Sequence, residues 1–132
     1  MLFEFQIQSD SQTQFINITS KIREIVSKSG VKQGICHVFV PHTTAGITVN
    51  ENADPDVVSD MLMELNKIIP FDDRYRHMEG NSAAHIKSSL MGCSTNVIIH
   101  NGTLLLGTWQ GIYFTEFDGP RHRKVYVKIM ED

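Results

Sequence analysis

Only two cysteines, Cys36 and Cys93, occur in 132 residues, too few for the disulfide scaffold of a small secreted domain. Cys36 falls in an apolar, strand-like run, so both are expected as reduced thiols in a cytoplasmic protein. No apolar run approaches the ~20 residues needed to cross a bilayer, so no membrane partner is expected. The N-terminus lacks the charged-then-apolar order of a signal peptide. A basic excess is missing too. The net charge of −3 argues against a general nucleic-acid binder, which would ordinarily be basic. Neither a zinc-ribbon, P-loop or HExxH spacing nor a nucleophile elbow is present. Repeats, low-complexity tracts and linkers are absent as well. What is left is one domain over residues 1–132, with 41% hydrophobic residues to fill its core.

The patterning is mixed. Phe3, Phe5 and Ile7 alternate with Glu4, Gln6 and Gln8, which predicts a strand with one wet face. A short return strand follows at Phe15–Ile18, then a helix capped by Thr19 or Ser20 and closed by Ser29-Gly30. Residues 34–40 are apolar on both faces, predicting a central strand that packs His37 in the core. Asp54-Pro55 starts a second helix. Its stripe of Val57, Val58, Met61, Leu62, Leu65, Ile68 and Ile69 is expected to be core. Asn101-Gly102 between two apolar runs predicts a hairpin. On the last strand, Arg121 and Arg123 share a face with Val125, Val127 and Ile129. Guanidinium groups on a core-facing row need carboxylate or phosphate partners.

The chemistry gathers around His77-Met78-Glu79-Gly80-Asn81-Ser82-Ala83-Ala84-His85. Asn81 is a good N-cap, Ser82 to Met91 reads as a short helix, and its first turn offers free N–H groups to a phosphate. Three sets of polar residues stand at strand or helix ends: the imidazoles His42, His77 and His85; the carboxylates Glu51, Glu116 and Asp118; and the guanidiniums Arg121 and Arg123. Glu51 continues an apolar face, so it either rims a cavity or emerges into solvent. The imidazoles or carboxylates could hold a divalent metal while the arginines and Asn81-Ser82 hold a phosphate. Trp109, beside Gln110, could form a wall against a planar ring.

Five segments carry a resemblance: His42-Thr43-Thr44-Ala45-Gly46, Asn50-Glu51, His77 to Asn81 with His85, Gly107-Thr108-Trp109-Gln110-Gly111, and Glu116 to Arg123. In this order they resemble the YjbQ family over nearly the whole chain. The resemblance implies a compact α+β fold with a two-sheet, mostly antiparallel β core and about three helices. It also implies a homotrimer with sites near subunit boundaries, and a secondary thiamine-phosphate synthase activity. That reaction joins a hydroxymethylpyrimidine diphosphate to a thiazole phosphate and releases diphosphate. Arg121 and Arg123 would bind the diphosphate with the Asn81-Ser82 amides, and Glu51 and Asp118 could hold Mg²⁺. Catalytic duties would fall to Glu51, His77, His85, Glu116 and Asp118, with Trp109 and Gln110 on the substrate. Clustered imidazoles suit a zinc-like transition metal better than Mg²⁺. This leaves open a metal-dependent hydrolase or lyase built on His42, His77 and His85, or a non-catalytic trimeric metabolite-binding protein.

Overall fold

The alternation of Phe3, Phe5 and Ile7 places strand β1 (Leu2–Gln8) against β8 (His122–Glu131), with Leu2 opposite Lys128 and Gln8 opposite His122. The computed structural model describes residues 1–132. In order, the other elements are β2 (Gln14–Asn17), α1 (Thr19–Ser29), β3 (Gln33–Phe39), β4 (Ala45–Glu51) and α2 (Pro55–Ile68). They continue with α3 (Ser82–Met91), β5 (Ser94–His100), β6 (Thr103–Leu104) and β7 (Gln110–Glu116). One sheet has the order β1-β8-β3-β5-β6 and the other β2-β7-β4, with every pairing antiparallel. The fold is therefore α+β, with a two-sheet core and three helices. No helix is long and apolar enough to cross a membrane.

The main core lies between the sheets, where Cys36, Val38, Val125 and Val127 meet Ile47, Ile112 and Phe114 under Ile22 and Val26 of α1. Burial pushes the Cys36 thiol up to about 11, so it stays a packed, unreactive group. A smaller cluster of Phe15, Ala84, Tyr113 and Phe117 lies under α2 and α3. The Asn101-Gly102 hairpin forms as the sequence predicts. Both residues take positive φ, +51° and +78°, as a two-residue turn joining twisted strands requires.

Several local expectations give way. No residue of α2 is fully buried. Val58, Met61, Leu62 and Leu65 only lean on the smaller cluster, while Met63 and Ile68 face solvent. Likewise β3 is covered on one face only. Ile35 is exposed, and His37 is half-buried, with Nδ1 bonded to Asn96 Oδ1 at 2.7 Å. Apolarity on both faces of a strand marks two surfaces to be covered, and one chain covers only one of them. The N-cap of α1 is Ile18, with no side-chain cap bond, and ahead of it Asn17 Oδ1 accepts from the Thr19 N–H (3.0 Å) and hydroxyl (2.6 Å). Asn81 makes no cap hydrogen bond; its amide N–H groups donate to Glu79 and Asp118.

Lys87 is the largest fully buried side chain, with 0% exposure. Its ammonium donates to Asn66 Oδ1 and sits 4.6 Å from the centre of the Phe71 ring. Burial lowers its pKa, so the charged form costs stability. That cost shrinks as pH rises from the folded toward the higher unfolded value. Lys87→Met is expected to be neutral or stabilising, because an apolar stem of similar volume removes the desolvated charge. Lys87→Ala should cost about 2–4 kcal/mol through the cavity it leaves. Urea unfolding of both variants checks the contrast.

Candidate functional site

Strand ends converge on one cleft. The loop after β3 delivers His42 and Thr44, β8 begins beside Arg121 and Arg123, and α3 opens with Asn81 and carries His85. With His77 and Glu79 from the loop before α3, these residues line a cavity of about 430 Å³ with no hydrophobic side chain on its wall.

Its floor is a sealed ion pair. Glu116 is 0% and Arg123 4% exposed. Arg123 Nε donates to Glu116 Oε1 (2.9 Å), and Nη2 donates to Glu116 Oε2 and to Thr44 Oγ1 (2.8 Å). Ser9 Oγ donates to Glu116 Oε1 at 2.7 Å, and the Asp118 N–H donates to Oε2 at 3.0 Å. Burial alone would raise the Glu116 pKa. The Arg123, Ser9 and Asp118 hydrogen bonds outweigh it and hold the carboxyl below its ordinary value. Glu116 is therefore a fixed anion that orients Arg123, and the Arg123 edge without a partner in the chain is Nη1. The turn that follows demands glycine at position 119, where an added Cβ would stand 2.3 Å from Ser11 O and 2.7 Å from Ser9 Oγ.

Around this floor runs a second network. Asp118 Oδ2 accepts from Arg121 Nη2 (3.0 Å) and Asn81 Nδ2 (2.9 Å), and Arg121 Nε donates to Asp118 O at 2.9 Å. Arg121 is thereby aimed from the exposed rim, again with Nη1 unspent. Asn81 Nδ2 also donates to Glu79 Oε2 at 2.9 Å. His42 is fixed by the backbone of β8, because the Lys124 N–H donates to its Nε2 at 2.9 Å. Burial first, and the Arg123 charge second, lower its pKa. A neutral imidazole accepting at Nε2 carries its proton on Nδ1 and so offers an N–H donor.

The remaining imidazoles form a pair. The His77 and His85 rings meet edge to face with centroids 5.7 Å apart. No three His, Cys, Asp or Glu side chains form a group that could hold a metal ion, and His42 has already committed Nε2. The donor set in this arrangement does not fit a three-histidine metal centre, and no chemical step is assigned to one. Mg²⁺ has looser needs, since it binds through one or two carboxylates plus substrate phosphates. Of the nearby carboxylates, Glu79 lines the cleft and Asp118 stands behind Asn81 and Arg121.

Four expected site residues, Glu51, Ser82, Trp109 and Gln110, lie elsewhere. Glu51 pairs with Gln110 at one end of the β4–β7 ladder, and Ala45 pairs with Glu116 at the other, about 20 Å of strand away. Glu51 Oε2 accepts from the Ala53 N–H at 2.9 Å and so shapes the turn into α2. Trp109 is exposed beside it, and its carbonyl accepts from the Asn52 N–H. Ser82 opens α3 in an adjoining depression with Tyr75, His77 and Ile86. Sequence reasoning passed over Thr44, Ser9 and Glu79. The first and last lie within quoted motifs, but Ser9 reaches Glu116 across 107 residues of chain, and no local pattern announces that.

Two antiparallel sheets with three helices, and a polar cleft floored by a buried Arg–Glu pair, define the class: a small α+β domain with one histidine- and arginine-lined site. Residues 3–132 match the model of the UPF0047 protein YjbQ-like family, and the chain belongs to that family. It is 55% identical to UPF0047 protein MJ1081 of Methanocaldococcus jannaschii over 132 residues, covering 100% of this chain and 96% of that one. UPF0047 protein YugU of Bacillus subtilis is 51% identical over 131 residues, covering 98% and 99%. Among solved structures, a YjbQ/UPF0047 family protein from Clostridium acetobutylicum superposes with a TM-score of 0.96 at 59% identity, over 97% and 99% of the two chains. A YbjQ-like protein of unknown function from Sulfolobus solfataricus P2 gives 0.96 at 31% identity, over 100% and 97%.

Proposed function

We propose that this protein is an enzyme acting on a phosphorylated small molecule, with thiamine-phosphate formation as the candidate reaction. One observation carries the reading: Arg121, Arg123 and His42 each keep one N–H edge without a partner in the chain, and all three line the same polar cleft. Guanidinium and imidazole N–H groups around a polar pocket suit phosphate oxygens. In the candidate reaction the methylene C–O bond of the pyrimidine diphosphate breaks and diphosphate departs with the electron pair. The thiazole nitrogen forms the new C–N bond. Such a step needs charge neutralised on the leaving group and no side-chain nucleophile. Arg121, Arg123 and His42 would supply that neutralisation, and Mg²⁺ at Glu79 and Asp118 would add to it.

The test is conversion of the two phosphorylated precursors by purified protein with Mg²⁺, followed by mass spectrometry. Thiamine phosphate above a metal-only control supports the reading, and its absence overturns the named reaction. The His77–His85 pair favours a hydrolase or lyase as the second reading, and release of phosphate without coupling in the same assay would point to it. Ligand binding with no chemical change would leave a metabolite-binding protein.

The homotrimer is also a proposal, and what supports it is the outer face of the larger sheet. Ile98, Ile35 and Met130 stand in register across β5, β3 and β8, all exposed. A contiguous apolar row of this kind ordinarily marks an interface, here with further copies of the chain. Ile35→Asp is expected to convert a trimer to monomer in light scattering coupled to size exclusion. A monomeric parent chain would remove the proposal. A cytoplasmic site of action goes with this reading, both cysteines being free thiols.

A further inference from the structure

Asn81 holds a buried acceptor that the chain leaves bare. Its two amide hydrogens are spent on Glu79 Oε2 and Asp118 Oδ2, each at 2.9 Å. Turning the amide over would set Oδ1 against those carboxylates, so the orientation is dictated by the acceptors around it. Oδ1 is sealed from solvent and has no hydrogen-bond partner, although the residue is only 8% exposed and lines the cleft. Native chains leave few buried polar atoms unsatisfied, and those they do leave tend to await a ligand or a water. Asn81 also forgoes the ordinary work of its position, since no N–H of α3 bonds to its side chain. Its two carboxylate contacts therefore hold a carbonyl in place at the cost of a helix cap.

The neighbouring groups say what else the ligand carries. Arg121 and Asn81 both donate to the single oxygen Asp118 Oδ2, at 3.0 and 2.9 Å. A phosphate held by Arg121 therefore lies close to Asn81. We infer that the cleft takes a phosphate ester whose organic part carries an N–H or O–H donor a few bonds from the phosphorus, accepted by Asn81 Oδ1. This rests on the phosphate reading above and adds the substrate's second recognition element. A site with a fixed buried acceptor discriminates strongly against an analogue that cannot fill it, because the carbonyl is then left desolvated and unpaired.

Matched esters test it. Ethyl phosphate, 2-hydroxyethyl phosphate and 2-aminoethyl phosphate are titrated into the full chain by calorimetry, with inorganic phosphate as control. EDTA is present so that no divalent cation can cap the carbonyl. The hydroxyl and amino esters are expected to bind at least about 10-fold more tightly than ethyl phosphate. In Asn81→Ala and Asn81→Ser that preference should vanish, the three esters binding alike. Equal affinities for the three esters in the parent chain overturn the inference, whether or not the variants fold. A preference that survives in either folded variant, or that appears only when Mg²⁺ replaces EDTA, overturns it too. If inorganic phosphate and all three esters fail to bind the parent chain, the phosphate reading itself is what has failed.

Discussion

Replacing Glu116 by alanine is expected to cost about 3–5 kcal/mol of folding stability, the penalty for stranding a buried guanidinium. Arg123 would keep Thr44 as its acceptor but lose every contact to a carboxylate. Ser9 Oγ would lose the acceptor it now reaches at 2.7 Å. Urea denaturation measures the loss. The double variant Glu116→Leu with Arg123→Met should recover much of it, because removing both charges also removes their desolvation. A Glu116→Ala protein as stable as the parent would mean the pair is hydrated in solution. The pH dependence has a definite sign. The folded Glu116 carboxyl lies below its ordinary value, so its contribution is present above about pH 4.3, the unfolded glutamate value. It is lost as pH falls through the lower folded one. Acid should therefore unfold the parent chain more steeply than the double variant.

Arg121→Ala is expected to act on function instead. The Arg121 side chain is 49% exposed and its ion pair with Asp118 crosses only three residues, so stability should change by less than about 1 kcal/mol. Loss of one aimed donor to a leaving phosphate ordinarily costs about 10²–10³ in turnover. Phosphate affinity should fall with it. Arg121→Lys should restore only part of either, because an ammonium keeps the charge without the planar fork that Asp118 now holds by two contacts. Unchanged turnover in Arg121→Ala, with the melting curve intact, would place the reacting phosphate elsewhere.

These residues also show how far a sequence can be read. Strand faces were legible because alternation has only two phases. Arg123, Val125, Val127 and Ile129 are all buried, as one row should be. Arg121, one step further out, is not, because β8 begins at His122 and the row ends there. The meeting of His42, His77, His85, Asn81, Arg121 and Arg123 on one wall was visible as a set of residues at element ends. Their division of labour was not. Whether a guanidinium faces ligand or carboxylate depends on contacts across the fold, such as Ser9 to Glu116. Glu51 misled for a related reason. Its strand phase gave the correct side, but the length of β4 set it at the wrong end. The α2 stripe misled because periodicity reports which face is apolar and not what comes to cover it.

The position of β8 between β1 and β3 has a consequence for biogenesis. Nothing can close the larger sheet until residues 122–131 have left the ribosome. Until then β1 and one side of β3 remain open edges, and the first strand finds its neighbour more than 100 residues later. Such late, long-range closure slows folding and exposes nascent strands to one another on crowded polysomes. The Lys and Glu residues on the wet faces of β1 and β8 (Glu4, Lys124 and Lys128) are the kind of charge that keeps waiting strands apart.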